Sequence, residues 1–338
     1  VLNREECRME RSRRAPMSAG PQTVPTAPHR IHPRRAGLVK RTCIVMALCG
    51  LWAAQGFAQE LTPRAYWPAP KGINVAVAGY VYAQGDVFFD PSIPLYGVDS
   101  KVNIALIAYL RTFSLWGRTT NVLVEQPYQW GTTRGIVVDT PAEGSVSGFG
   151  DLGITLTINL LGAPAMTPQE FQALRGKPPS ILGASLKVVA PTGKYDPNRL
   201  LNEGGNRWGI KAELGYIIPL RPKVLLEIEG GAWFLGDDDD FIAGRREQEP
   251  IVGIEVHLVR RFKPGFWASL DANFFFGGRQ TIAGNQLVDV QRNSRIGGTV
   301  VVPFKGRHAV KIGYAAGLFA EFGTDFDQFL VSYQVVFR

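Results

Sequence analysis

Charged side chains in this chain recur two residues apart, a spacing that places both members of a pair on one face of a β-strand. Lys211 and Glu213 form one such pair, and Glu227 and Glu229 form another. Apolar residues occupy the positions between and around them, so each stretch would carry a charged face and an apolar face. Such groups could line a polar path through the protein or take part in acid–base chemistry.

Acid–base catalysis is the sharper of these two possibilities, and His257 beside Glu255 is its best candidate. A serine hydrolase needs a nucleophilic serine held next to the histidine and oriented by an acid. Ser185 and Ser269 lie in strand-like stretches, but neither belongs to a nucleophile motif. The sequence also shows no phosphate-binding loop and no metal-ligand spacing. It therefore predicts a protein that is not an enzyme, with no catalytic residue, no metal site and no cofactor.

The run of four acids at Asp237–Asp240 could offer oxygen ligands to Ca²⁺. It lacks the alternating ligand spacing and the closing glutamate of an EF-hand loop. The run is therefore interpreted as a solvated acidic loop tip.

Alternation of apolar and polar residues dominates the chain from residue 72 onward. Short turns and long polar loops alternate between the strand-like stretches, an arrangement typical of outer-membrane barrels. One connection instead predicts a short helix near 167–175, with Thr167 as its N-cap and a proline at its first position. The twelve predicted strands are 72–83, 101–113, 119–128, 149–161, 181–191, 207–219, 223–235, 250–262, 265–277, 294–304, 307–320 and 327–337.

The two faces of the predicted strands favour a barrel over a soluble sandwich. In stretch 265–277, Phe266, Leu270 and Phe274 fall on one side, and Asp271 falls on the other. A sandwich alternates in the same way, with its apolar side inward. Here the apolar faces carry aromatic residues near the strand ends, and nearly every opposite face carries charges. We predict an all-β fold: a transmembrane antiparallel up-and-down β-barrel over 72–338, with about 12 strands and a periplasmic helix.

The first 58 residues are interpreted separately. Basic residues precede an apolar run at 43–54, and small residues follow at positions 56 and 58, which predicts a secretory signal peptide over 34–58. Residues 1–33 have no periodicity and are interpreted as an N-terminal extension that is either unstructured or the result of a wrongly assigned start codon. Residues 59–71 are expected to form an N-terminal periplasmic segment. All three cysteines lie before residue 59, so no thiol chemistry is expected in the exported part.

The net charge of +8 does not indicate a nucleic-acid partner. Residues 1–58 hold ten basic and three acidic residues, so +7 of this charge lies in the segment expected to be removed.

Several stretches resemble the outer-membrane channel family named for the MetA pathway of phenol degradation. They include VVAPTGKYDPNRLLNEGGNRWGIKAELGY at 188–216, GFWASLDANFFFGG at 265–278 and GTDFDQFLVSYQVVF at 323–337. The resemblance covers about 72–337 and is most specific in the Pro-Thr-Gly…Asn-Arg-Trp run. It implies a porin-like barrel that takes up aromatic or other hydrophobic compounds.

A barrel would turn one set of polar residues toward its lumen. One interpretation is a polar pore whose internal field orients a solute, and the alternative is a salt-bridge network that fills a narrow lumen. Loop 192–206 also has two interpretations. It could be a ligand gate formed by Thr192, Asn206 and Arg207, or it could be a fixed loop at the barrel mouth. The predicted lumen residues are Lys187, Lys211, Glu213, Glu227, Glu229, Glu255, His257, Asp271, Asn273 and Lys311.

These observations predict a protein of the outer membrane through which small solutes, including hydrophobic or aromatic ones, pass without energy input. The alternative is a non-conducting structural or adhesive barrel whose loops bind a partner. The expected partners are outer-membrane lipids and lipopolysaccharide, the barrel-assembly machinery and a small-molecule solute.

The chain ends on an alternating strand with a penultimate aromatic, Phe337, followed by Arg338. We expect the barrel-assembly machinery to recognise this aromatic, whereas the long Arg338 side chain can extend toward the headgroup layer. Phe337→Ala should therefore reduce the fraction of folded barrel in the outer membrane, and deletion of Arg338 should leave it unchanged. The measurement is the heat-modifiable migration of membrane fractions on a detergent gel. Equal folded fractions for both variants would contradict a role for Phe337.

Overall fold

The computed structural model describes residues 62–89, 95–199 and 201–338. The predicted extension and signal peptide lie outside the described residues. Seven strands form the first part of the chain: β1 Asn74–Phe88, β2 Leu95–Leu115, β3 Arg118–Val137, β4 Thr140–Phe149, β5 Leu152–Leu161, β6 Ile181–Ala190 and β7 Gly209–Arg221. Nine follow: β8 Val224–Leu235, β9 Arg246–Gln248, β10 Ile251–Lys263, β11 Phe266–Gly277, β12 Gln280–Ile282, β13 Asn285–Gln286, β14 Gln291–Phe304, β15 His308–Ala320 and β16 Gly323–Phe337. Helix α1, Pro168–Gly176, lies between β5 and β6.

No helix within the described ranges is both long and apolar enough to cross a membrane.

The main sheet closes on itself as an antiparallel barrel. Strand β1 pairs with β2 on one side and with β16 on the other. Strands β4 and β5 share one position in the ring, because both pair with β3, so the ring has twelve positions. The short strands β9, β12 and β13 form a separate three-stranded sheet. The predicted fold class is therefore confirmed.

The strands run beyond their predicted ends at one side of the barrel. Residues 129–148, expected to be a loop, instead continue β3 and form β4, joined by a tight turn at Val138 and Asp139. Both turn residues have positive φ, 45° and 60°, as a hairpin turn of the primed type requires. Asparagine and glycine usually mark such a turn. Neither residue occupies these two positions, so the hairpin was not predicted from the sequence.

Helix α1 begins where the sequence predicted. The Thr167 side chain accepts a hydrogen bond from the Glu170 backbone, and the Glu170 carboxylate accepts one from the Thr167 backbone, which forms a capping box. Hydrogen bonding to the Thr167 backbone lowers the pKa of the Glu170 carboxyl below its usual range. Phe171 and Leu174 pack against the buried core at this end of the barrel.

Burial alternates along the strands in the sense expected for a barrel. In β11, Trp267, Asp271 and Phe275 are buried inside, whereas Leu270 and Phe274 are exposed on the outside. An outward apolar face therefore surrounds the sheet, and the charged face points into the lumen.

The wall is interrupted between β4 and β6. Strand β6 pairs with β5 but not with β4, and segment 191–208 covers the uncovered edge of β4. The backbone N–H of Lys194 donates to the Phe149 carbonyl at 2.9 Å, and the Arg199 guanidinium donates to the Ser145 carbonyl at 2.6 Å. Asp151, at the break, accepts hydrogen bonds from the backbone of Gly193 and Gly205 at 2.8 and 2.7 Å.

Asp151 should hold segment 191–208 against the wall. Hydrogen bonds to a charged group contribute about 1.5–3 kcal/mol each, so Asp151→Ala should speed trypsin cleavage after Lys194 or Arg199 by at least about tenfold. The matched control is Asp240→Ala, because Asp240 is exposed at the same end of the barrel. The measurement is the rate of fragment formation on a gel. Equal cleavage rates in the two variants would show that Asp151 does not hold the segment.

Candidate functional site

The predicted lumen residues lie on the inward faces of β6, β7, β8, β10, β11 and β15. Most are buried: Lys187, Glu213, Glu227, Glu229, Glu255, His257, Asp271 and Asn273. Lys211 is slightly more accessible. Lys311 is intermediate in exposure and lies opposite the buried Ser332 of β16, away from the group on β7–β11.

Ion pairs connect much of this charged face. The Lys187 ammonium lies 2.5 Å from Glu125, and the Lys211 ammonium lies 2.5 Å from Glu213 and 3.5 Å from Glu255. Low dielectric in a buried site strengthens such pairs, but each ion also loses its hydration. The lumen therefore contains the internal salt bridges that the second interpretation of the sequence requires.

The N-terminal segment, residues 62–73, enters the lumen and contacts these carboxylates. The Tyr66 side chain is 1% exposed, and its hydroxyl donates to Glu213 Oε1 at 3.0 Å. The Arg64 backbone donates to Glu227 Oε2 at 2.6 Å, and the Thr62 backbone donates to Glu255 Oε2 at 3.4 Å. The described residues from Thr62 onward therefore contact the inside of the barrel, and the periplasmic location expected for residues 59–71 stays a prediction. Carboxylates buried in the lumen need donors, and this segment supplies them.

Two glycines form a seat for the Tyr66 ring. Gly183 of β6 and Gly215 of β7 lie opposite each other in the register. A Cβ atom added to either would come within about 2.2 Å of ring carbons of Tyr66. The ring can lie against the wall only because both positions lack a side chain. The Tyr66 carbonyl also accepts a hydrogen bond from Asn159 at 3.1 Å.

An apolar cluster packs at this end of the lumen. Trp67 lies between the guanidinium groups of Arg64 and Arg261, which are 4.9 and 4.8 Å from its ring centre. The buried members of the cluster are Tyr66, Ala163, Met166, Ile181, Ile217, Leu225, Val259, Trp267 and Val301. Sequence reasoning missed the N-terminal segment, and the available signal was the Tyr66-Trp67 pair within an otherwise irregular stretch.

The three predicted gate residues lie on segment 191–208, and each has a partner. Thr192 Oγ1 accepts from the Leu152 backbone at 3.0 Å, and the Arg207 guanidinium donates to Gln248 at 2.5 Å. Asn206 donates to Asp238 at 2.8 Å and has a φ of 53°. Asparagine adopts a positive φ more readily than most other non-glycine residues.

Gly204, in the same segment, is required for a steric reason. A Cβ atom there would lie 2.8 Å from the Gly193 backbone, so the close approach of the two backbones requires glycine.

The interpretation of Asp237–Asp240 as a wholly solvated run is wrong at one position. Asp238 is 0% exposed and accepts hydrogen bonds from Tyr195 and Arg246, both at 3.0 Å. It also bonds Asn206, so it joins segment 191–208 to the loop after β8. The other three acids are exposed, and Asp237 pairs with Arg245.

A cavity of about 310 Å³ lies between the β3–β4 hairpin and segment 191–208. Its apolar lining includes Val137, Ala142, Leu201 and Ile242, and the charged residues Arg134, Glu143 and Arg199 also line it. Sequence reasoning could not place this cavity, because it treated residues 129–148 as a loop.

The closed ring, its outward apolar face and its charged lumen define a β-barrel of the outer-membrane type. Residues 90–321 match the model of the family described as "Putative MetA-pathway of phenol degradation". The match covers more than half of the chain, so the chain belongs to this family, as its motifs indicated.

One solved outer-membrane channel structure shares the fold, and a second solved structure matches less well. The COG4313 outer membrane channel from Pseudomonas putida F1 is 22% identical, with a TM-score of 0.68 over 82% of this chain and 100% of that chain. The transport unit of the autotransporter AIDA-I from Escherichia coli is 10% identical, with a TM-score of 0.47 over 91% and 99% of the respective chains. No curated protein matches the chain.

The contact of the Tyr66 ring with Gly183 and Gly215 leads to a prediction about the stability of the barrel. Gly215→Ala should force Tyr66 off the wall and destabilise the barrel by about 1–3 kcal/mol, the usual effect of overpacking a core. Gly230→Ala is the matched control, because a Cβ at this outward position of β8 meets no atom within 4 Å. The measurement is the denaturant midpoint in detergent micelles. Equal midpoints for the two variants would show that the Tyr66 ring is not held against Gly215.

Proposed function

We propose that this protein is an outer-membrane channel for the passive passage of small hydrophobic or aromatic solutes. The observation that carries the proposal is the cavity of about 310 Å³ at the outer end, with its largely apolar lining. A cavity of about 150 Å³ is large enough for benzene, so this one has room for a monocyclic or small bicyclic solute. Its volume also lies at the lower end of the range for ligand pockets.

The outward apolar face supports a location among outer-membrane lipids, with lipopolysaccharide at the outer surface. A closed barrel is the only sheet that can cross hydrocarbon without unpaired amides. Phe337 ends β16 on the outward, exposed side, which supports its proposed recognition by the assembly machinery. The N-terminal segment narrows the opposite end of the lumen and would limit the size of the solute.

That same segment favours a second candidate function, a non-conducting structural or adhesive barrel. Tyr66 and its apolar neighbours fill one end of the lumen. A barrel that conducts nothing would tolerate such filling permanently, whereas a channel requires a residual path beside it or movement of the segment.

Ion current across a planar bilayer tests both candidates. We expect a small current through the unaltered chain and a larger one through Tyr66→Ala, because the substitution removes a ring from the lumen. Phenol added on the outer side should reduce the current as it enters the cavity. Absence of current through both proteins would refute the channel and leave the structural barrel.

A cavity variant tests the solute class separately. Leu201→Arg places a charge in the apolar lining, where a charged side chain is strongly disfavoured, and should weaken the phenol effect by about tenfold or more. Thr140→Arg, at the exposed tip of the β3–β4 hairpin, is the control. A current that phenol does not alter would exclude aromatic solutes even if the channel conducts.

A further inference from the structure

The register of β8, β10 and β11 places ionisable side chains directly opposite one another inside the barrel, including one pair of carboxylates. Glu229 lies opposite Glu255, and Glu227 lies opposite His257. On the next strand, Asp271 lies opposite His257. Carboxylates placed directly opposite each other destabilise a sheet unless something between them compensates the repulsion.

Three side chains of this group carry buried polar atoms without a hydrogen-bond partner among the described residues, and one of these atoms is Oε1 of Glu227. Both carboxylate oxygens of Glu229 also lack such a partner, and so does Nε2 of His257. Glu229 is 1% exposed, His257 0% and Glu255 2%. Buried polar atoms in proteins are almost always satisfied, so atoms of this kind indicate a missing partner.

The available positive charge is shared among several acids. Lys211 lies near Glu229, but it also lies 2.5 Å from Glu213 and 3.5 Å from Glu255. One ammonium group therefore faces three buried carboxylates. Charges buried in this way require a counter-ion or neutralisation.

Asp271 orients the histidine toward the two glutamates. Asp271 Oδ1 lies 2.9 Å from His257 Nδ1, and Asp271 Oδ2 accepts a hydrogen bond from Thr299 at 2.9 Å. A proton on Nδ1, held by this carboxylate, leaves the lone pair on Nε2, which lies 3.7 Å from Glu255 Oε2. Metal-binding histidines are typically held by a carboxylate in this way.

From this geometry we propose that Glu229, Glu255 and His257 bind a divalent transition-metal ion of the zinc class inside the barrel. One ligand atom from each residue lies within 4.8 Å of the others. Zinc bonds of about 2.0–2.2 Å in a tetrahedral site would bring these atoms to about 3.4 Å apart. Rotation of the long Glu229 side chain, which is free of other hydrogen bonds, can supply that movement.

The donor set selects the class of ion. An imidazole nitrogen with two carboxylates suits zinc and its neighbours, whereas Mg²⁺ and Ca²⁺ prefer oxygen ligands alone. The bound ion would connect β8 to β10 beneath the N-terminal segment, because Glu255 also accepts from the Thr62 backbone. It would place a positive charge between the opposed carboxylates. The site does not depend on the proposed channel activity.

Zinc binding to the full chain, purified in detergent without a histidine tag and stripped with a chelator, tests the proposal. We expect the bound zinc, measured by mass spectrometry after gel filtration, to exceed that of His257→Gln and of Glu229→Gln by one equivalent. Asp271→Asn should retain the site with affinity lowered about 10–100-fold, as expected when the group that orients a ligand is lost. His308→Gln is the matched control, because His308 lies on β15, away from the cluster, and bonds Tyr333.

A second measurement keeps the test independent of misfolding. X-ray absorption of zinc bound to the unaltered chain should show one imidazole among nitrogen and oxygen ligands, and millimolar Mg²⁺ should not displace the ion. Heat-modifiable gel migration confirms that each variant is folded. Equal zinc in the unaltered chain and folded His257→Gln would overturn the proposal and favour a proton shared between Glu229 and Glu255. Displacement by Mg²⁺ would overturn the zinc class.

Discussion

The pairing of β1 with β16 is the interaction on which the rest of the structure depends. It runs without interruption from Asn74 opposite Phe337 to Phe88 opposite Gly323. In hydrocarbon an unpaired backbone amide has no water to bond, so a sheet that did not close would expose two unsatisfied edges. Closure also fixes which residue of every strand faces inward, and so it determines the composition of the lumen.

An enclosed charged face has to be neutralised from within. Lysines pair with glutamates, the backbone of the N-terminal segment donates to Glu227 and Glu255, and the Tyr66 hydroxyl donates to Glu213. The cluster around Glu229 is a part of this face where the described protein groups do not satisfy the buried carboxylate oxygens. Filling of the lumen and the proposed metal site are thus two responses to the same electrostatic requirement.

Period-two alternation was sufficient to predict the ring, because in strands such as β11 a single face is apolar throughout. Local capping chemistry was sufficient for α1. The contacts inside the lumen were harder to predict from the sequence. Tyr66 finds its partners 119 and 147 residues away, and no local pattern encodes such a contact. The spacing of Glu255 and His257 was visible, but their opposition to Glu229 depends on a register that one residue of slip would destroy.

The position of the Tyr66 seat has a consequence for the order of assembly. The segment that carries Tyr66 precedes β1, yet Gly183 and Gly215 belong to the middle of the chain. The segment therefore cannot dock when it first emerges, and it must wait until the central hairpins exist. A route through the side of the sheet exists only until β16 pairs with β1, because that pairing closes the ring. Docking of residues 62–73 therefore follows the formation of β6 and β7, although these residues precede both strands in the chain.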